Sequence, residues 1–203
     1  MLDGKKFSFP FDDKDIPINN GIYILYQKGE LWHNGDRIVR IGTDTGENQL
    51  RSRMEQHFIK QNKNRSIFRK NIGRALLNKE NNPYLEIWNL DTTSKADKEK
   101  NGSKIDKTLE QSVENKISKY LQENFYFKLL KIDTKEKRLE LEEKLIGTVS
   151  NCKECKPSET WLGNFSPKEK IRESGLWLEQ GLYKDGLSEN ELDEIKNSLL
   201  KSE

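Results

Sequence analysis

The chain has only two cysteines and two histidines, and no apolar run approaches the roughly 20 residues that a membrane-spanning helix needs. That absence argues against a helical membrane span. Met1 to Phe11 lacks the apolar core of a signal peptide, so the sequence predicts a soluble, cytoplasmic protein with no membrane partner. Cys152 and Cys155 form a single C-x-x-C without a second Cys or His pair nearby, which leaves a four-ligand zinc site incomplete. The two residues read as a polar loop bearing thiols. No internal repeat, D-D-E cluster, helix-turn-helix or zinc module is legible, so nothing in the sequence speaks to base readout.

What is present suits one domain with a modest appendage. Of the 203 residues, 33% are hydrophobic and 34% charged, yet the aromatic and aliphatic residues recur in separated clusters able to build a core. The net charge of +2 hides an uneven distribution. From Arg51 to Lys79 the basic residues include Lys60, Lys63, Arg65, Arg69, Lys70 and Arg74, against the single acid Glu55, which marks a candidate phosphate-contacting surface. The C-terminal stretch is acidic instead, with Asp185, Glu189, Glu191, Asp193, Glu194 and Glu203, and is expected to face away from a polyanion.

Gly21 to Gln27 is short, β-branched and aromatic and reads as a strand; Arg37 to Thr43 reads as a second, joined to it as a hairpin through the turn Asn34-Gly35-Asp36. The period then changes. Leu50, Met54, His57 and Phe58 share one helical face, and Ser66 can cap a second helix with Ile67, Ile72, Ala75 and Leu76 inside and Arg69, Lys70 and Arg74 on the wet side. Tyr84 to Asn89 is a candidate third strand, and Asp91 to Lys107 has almost nothing to bury and reads as a loop. A helix over Leu109 to Phe125, a strand over Tyr126 to Ile132, and helices over Thr134 to Val149 and Ser188 to Leu200 complete a mixed α and β order. Trp88, Trp161 and Trp177 read as packing pegs.

Arg53 and His57 stand one helical turn apart on one face. An Arg that holds a phosphate through two donors and a His that exchanges a proton near neutrality suit phosphodiester chemistry, although such a pair is more often a surface feature. The order of features around it resembles the GIY-YIG nuclease family: Gly21-Ile22-Tyr23, then Arg40-Ile41-Gly42, then Leu50-x-x-Arg53-x-x-x-His57, then a helix bearing Glu142, and finally Asn164 in Trp161-Leu162-Gly163-Asn164. The second motif carries Arg40 where that family usually has Tyr, and the gap between the first two motifs is long.

The resemblance implies an α+β fold with a small, mainly antiparallel central sheet flanked by helices. It also implies a nuclease domain over 19–167 between an N-terminal extension (1–18) and a helical C-terminal extension (168–203). It further implies a metal-dependent DNA endonuclease: Glu142 would hold one Mg²⁺ or Mn²⁺, while Tyr23, Arg40, Arg53, His57 and Asn164 would be catalytic. A phenol is a poor base near neutrality unless cations favour the phenolate, and Arg40 and Arg53 are the available cations. DNA is the expected partner, and a homodimer would let single sites cut both strands. The competing readings are a catalytically inactive nucleic-acid-binding module that retains the fold, suggested by Arg40, and an interaction protein docking through the Trp161 loop and acidic tail.

Overall fold

The computed structural model describes residues 5–33 and 35–200, so Asn34 of the expected turn and Glu203 of the acidic tail lie outside the described residues. Four strands, β1 (Phe7–Ser8), β2 (Gly21–Trp32), β3 (Gly35–Gly42) and β4 (Phe125–Lys131), form one antiparallel sheet in the order β1-β4-β2-β3. The helices are α1 (Leu50–Phe58), α2 (Ile67–Lys79), α3 (Tyr84–Asn89), α4 (Lys95–Asn101), α5 (Lys107–Asn124), α6 (Lys135–Ser150), α7 (Glu169–Ser174) and α8 (Glu189–Leu200). The fold is α+β, as expected.

Strand alternation builds two cores. On β2, Ile22, Ile24 and Tyr26 point to one face and join Leu145 and Ile146 of α6. Tyr23 and Leu25 point to the other, where α1, α2, α3 and α5 deliver Met54, Phe68, Trp88 and Ile117. Phe7, Phe11 and Ile16 sit in that second core too, and Phe7 and Ser8 pair with β4 at the edge of the sheet. All three expected pegs, Trp88, Trp161 and Trp177, are at most 1% exposed.

Two expectations about local structure are corrected. Tyr84–Asn89 is a helix, because Pro83 presets the entry, Asn82 Oδ1 accepts from Tyr84 N–H (2.9 Å), and Trp88 must stand against α2. A Cβ at Gly73 would lie 2.6 Å from the Trp88 ring, which explains a mid-helix glycine despite its cost of about 1 kcal/mol. The stretch expected to be a loop contains α4, opened by a reciprocal capping box between Ser94 and Asp97.

The largest correction concerns α2. Its expected wet side is buried: Arg69 is 0% exposed, and Lys70 and Arg74 are buried beside it, while Ile67, expected inside, is half exposed. Arg69 donates to Glu114 of α5 through Nε (2.9 Å) and Nη2 (2.6 Å), and its Nη1 donates to the His57 carbonyl (3.0 Å). Lys63, also buried, donates to the Trp88 carbonyl (2.8 Å) and pairs with Glu110, and Arg74 donates to Asn89 and Asn71. These cations are placed to satisfy the protein interior. Lys60 and Arg65 alone among the six expected contacts remain exposed.

The acidic C-terminal stretch packs against the chain itself: Lys144 of α6 pairs with Glu191 and Lys184 with Glu143. Cys152 and Cys155, expected as thiols, are joined as a disulfide.

Candidate active site

An irregularity in β3 brings its chemistry to the α1/α2 face. Register shifts between Leu25 and Tyr26, so Val39 is an extra residue on β3 and Arg40 falls opposite Leu25, on the Tyr23 side. Two residues on, Gly42 faces Tyr23 directly, and a Cβ there would meet the Tyr23 hydroxyl at 2.2 Å. Glycine is the side chain that lets the phenol lie flat across the strand pair.

The Tyr23 hydroxyl lies 2.9 Å from His57 Nε2 and accepts from Arg40 Nε at 3.3 Å. His57 Nδ1 is in turn 2.8 Å from Ser66 Oγ, which also caps α2 by accepting from Arg69 N–H. One polar chain thus runs from Arg40 through Tyr23 and His57 to the first turn of α2. Burial holds the His57 pKa well below the ordinary imidazole range, and Arg40, Arg53 and Arg69 push it the same way. His57 is therefore neutral at pH 7, with one ring nitrogen donating and the other accepting.

Arg40 also donates to the Trp177 carbonyl and lies over the Phe68 ring (5.3 Å). It lines a cleft of about 720 Å³ together with Ile67, Asn71, Glu142, Glu143, Glu179 and others. Tyr23 and His57 are each 1% exposed and stand behind Arg40, outside that lining.

Glu142 on α6 faces the cleft. Its Oε1 accepts from Thr43 N–H (3.0 Å), and among the described residues its other oxygen has no hydrogen-bond partner. Burial raises its pKa above the ordinary carboxylate value, only partly countered by the Thr43 hydrogen bond and Arg40. A half-buried carboxylate with one oxygen fixed and one open is a hard-oxygen donor suited to a hard divalent cation that keeps several waters, so the residues present fit Mg²⁺ or Mn²⁺.

Arg53 meets this group from α1, paired with Asp44 at 3.0 Å. Asp44 Oδ2 is buried without a partner among the described residues, and the Asp44 charge itself raises the Glu142 pKa. Tyr26 points to the opposite face, as alternation required, and stacks on Tyr126. Asn164 is not brought to the cluster. Its amide donates to the carbonyls of Ser158 and Glu159 (2.9 and 3.0 Å), in a loop tied to Glu30 through Ser158.

Three contributors escaped the sequence reading: Thr43, through its backbone N–H; Ser66, noted only as a cap; and Asp44. A signal existed for the last, since Asp44 follows the second motif by two residues and lies nine before Arg53.

The family model for the GIY-YIG domain matches residues 5–203, nearly the whole chain. No curated protein and no solved structure matches it.

Proposed function

Because the chain belongs to the GIY-YIG domain family, whose members are typically nucleases that generally use a divalent metal, we propose that it is a metal-dependent DNA endonuclease hydrolysing phosphodiester bonds at a single-metal site. The observation that carries the reading is the polar chain Arg40-Tyr23-His57-Ser66, whose Arg40 end lines the same cleft as Glu142.

Hydrolysis needs an in-line nucleophile, compensation for the charge gathering on phosphorus, and a stabilised leaving oxygen. One Mg²⁺ or Mn²⁺ held by Glu142 would supply charge compensation at the phosphate and at the leaving oxygen, which departs as its bond to phosphorus breaks and takes a proton from water. Arg40 gives its remaining N–H groups to a phosphate oxygen and, in turning toward it, uncovers the Tyr23 hydroxyl. Tyr23 then orients the attacking water and takes its proton while passing its own to His57 Nε2, whose Nδ1–H is held by Ser66. The neighbouring arginines disfavour an imidazolium at His57, and the incoming phosphate charge offsets them. Arg53, fixed by Asp44, contacts a second phosphate oxygen. The exposed Lys60 and Arg65 extend the contact along the DNA backbone, with one site per chain cutting both strands as a homodimer or in successive nicks. The working compartment in this reading is the cytoplasm.

Purified protein with Mg²⁺ or Mn²⁺ should nick supercoiled plasmid, and Glu142→Gln should stop cutting while DNA binding persists. The near-complete burial of Tyr23 and His57 behind Arg40 favours a second reading, an inactive module that keeps the fold and binds nucleic acid. Wild-type protein that binds plasmid and leaves it intact across both metals would select that second reading.

A further inference from the structure

The C-x-x-C that lacks partners in sequence acquires one in space. His33, in the turn that follows β2, has a ring nitrogen that lies with the sulfurs of Cys152 and Cys155 in a group whose ligand atoms are all within 4.8 Å of one another. The two cysteines follow α6, more than a hundred residues downstream. Glu154 places a carboxylate oxygen 3.5 Å from His33 Nε2 but stands outside that group, so a water would complete a four-ligand shell. The Trp32 ring lies 4.4 Å from the His33 ring and restricts its swing. Cys155 is buried, Cys152 half-buried, and His33 exposed, so the group is anchored on one side and open to solvent on the other.

We propose that in the reduced chain Cys152, Cys155 and His33 bind one Zn²⁺, which clamps the turn of the β2–β3 hairpin to the end of α6. Two thiolates and an imidazole are the donor set of zinc, and a poor one for Mg²⁺, so this site and Glu142 select different ions. Bound metal and the Cys152–Cys155 disulfide exclude each other. A dithiol reductant gives two electrons to the S–S bond and becomes a disulfide itself; the two freed thiols each release a proton to water as the metal binds. The clamp joins the hairpin carrying Tyr23 and Arg40 to the helix carrying Glu142. Its existence does not rest on the nuclease reading.

The test is titration of the full reduced chain with Co²⁺, followed by Zn²⁺ displacement. One equivalent should bind with a thiolate-to-cobalt charge-transfer absorption, which Zn²⁺ abolishes. The oxidised chain and Cys152→Ser should lack the band, and Glu142→Gln should keep it. His33→Ala, at an exposed position, should fold normally and weaken Zn²⁺ binding by about tenfold or more. Absence of the band in the reduced wild type overturns the proposal. So does a folded His33→Ala chain with wild-type Zn²⁺ affinity, since the cysteine pair alone would then account for binding.

Discussion

The candidate site has two layers that treat charge in opposite ways. In the inner layer, Tyr23, His57, Ser66, Arg69 and Glu114 form a continuous path from the sheet to α5, and every polar contact is made within the protein. In the outer layer, Arg40 and Glu142 face the cleft, Glu142 with one oxygen unpartnered among the described residues, and Arg53 stands half-buried, paired with Asp44. The difference teaches that proximity to phosphodiester chemistry does not make a cation a phosphate ligand. Arg69 is one residue among the basic cluster by sequence, yet its guanidinium is committed to Glu114 and Ser118 of α5 and to the His57 carbonyl, which ties α1 to α5.

The largest effect expected from breaking this division is at Glu142. Glu142→Gln should reduce metal-dependent cleavage by a factor on the order of 10³ or more, equivalent to several kcal/mol of transition-state stabilisation. Stability should not fall with it. A carboxyl whose folded pKa is raised stabilises the fold at low pH and loses that contribution as pH rises through the folded value, so a neutral amide removes a burden at pH 7. A Glu142→Gln protein that melts early would place Glu142 in the structural layer.

Arg69→Ala tests the inner layer. It leaves Glu114 buried without its cation, and denaturant unfolding should show a loss of about 3–5 kcal/mol. Pairing it with Glu114→Gln should recover part of that. A mild effect of Arg69→Ala on stability alongside a strong effect on DNA affinity would restore it to the binding surface.

Why the sequence distinguished some of this and not the rest is visible at particular residues. The strands β3 and β4 and the helices α5, α6 and α8 are set by local periods and caps, and their bounds fall within one or two residues of expectation; β2 runs on past Gln27 to Trp32, and the two residues of β1 carry no period to read. Tyr23 and Arg40 were legible through the resemblance to the family's first two motifs, and Arg53 and His57 also through their spacing of one helical turn; the irregularity that sets Arg40 opposite Leu25 left no mark in the sequence. The orientation of α2 was not legible, because the acid that pulls Arg69 inward lies 45 residues away on α5. Tyr84 to Asn89 satisfies either period over six residues, and the entry at Asn82 and Pro83 and the Trp88 contact with α2 decide it. Thr43 contributes a backbone N–H, which no residue type advertises.

Gly42→Ala probes the junction between the layers. The added methyl overlaps the Tyr23 hydroxyl, so the phenol must leave His57 or the strands must part. A stability loss of about 1–3 kcal/mol is expected together with loss of cleavage, and retention of full activity would remove Tyr23 from the mechanism.

His57 gives a smaller signal in pH. Its folded pKa lies well below that of the unfolded chain, so its contribution is present above the unfolded value and is lost as pH falls through and below 6.5 toward the folded value. Between pH 7 and 5 the wild type should therefore lose more stability than His57→Gln, measured as paired thermal midpoints. Parallel curves for the two proteins would mean that the buried imidazole is not neutral.

The smallest expected effect per residue is at the exposed cations. Lys60 pairs with Glu55 at the surface, and Arg65 stands exposed after α1, so neither carries the fold. Lys60→Glu with Arg65→Glu should leave unfolding within about 0.5 kcal/mol of wild type. If both meet phosphates, the slope of log affinity for duplex DNA against log salt should shrink by roughly 2, since each neutralised phosphate contributes about 0.9. Lys63→Met should do the reverse, disturbing stability through Glu110 and the Trp88 carbonyl while leaving the salt slope alone. An unchanged slope in the double variant would move the DNA surface away from the end of α1 and toward the cleft lined by Arg40 and Lys184.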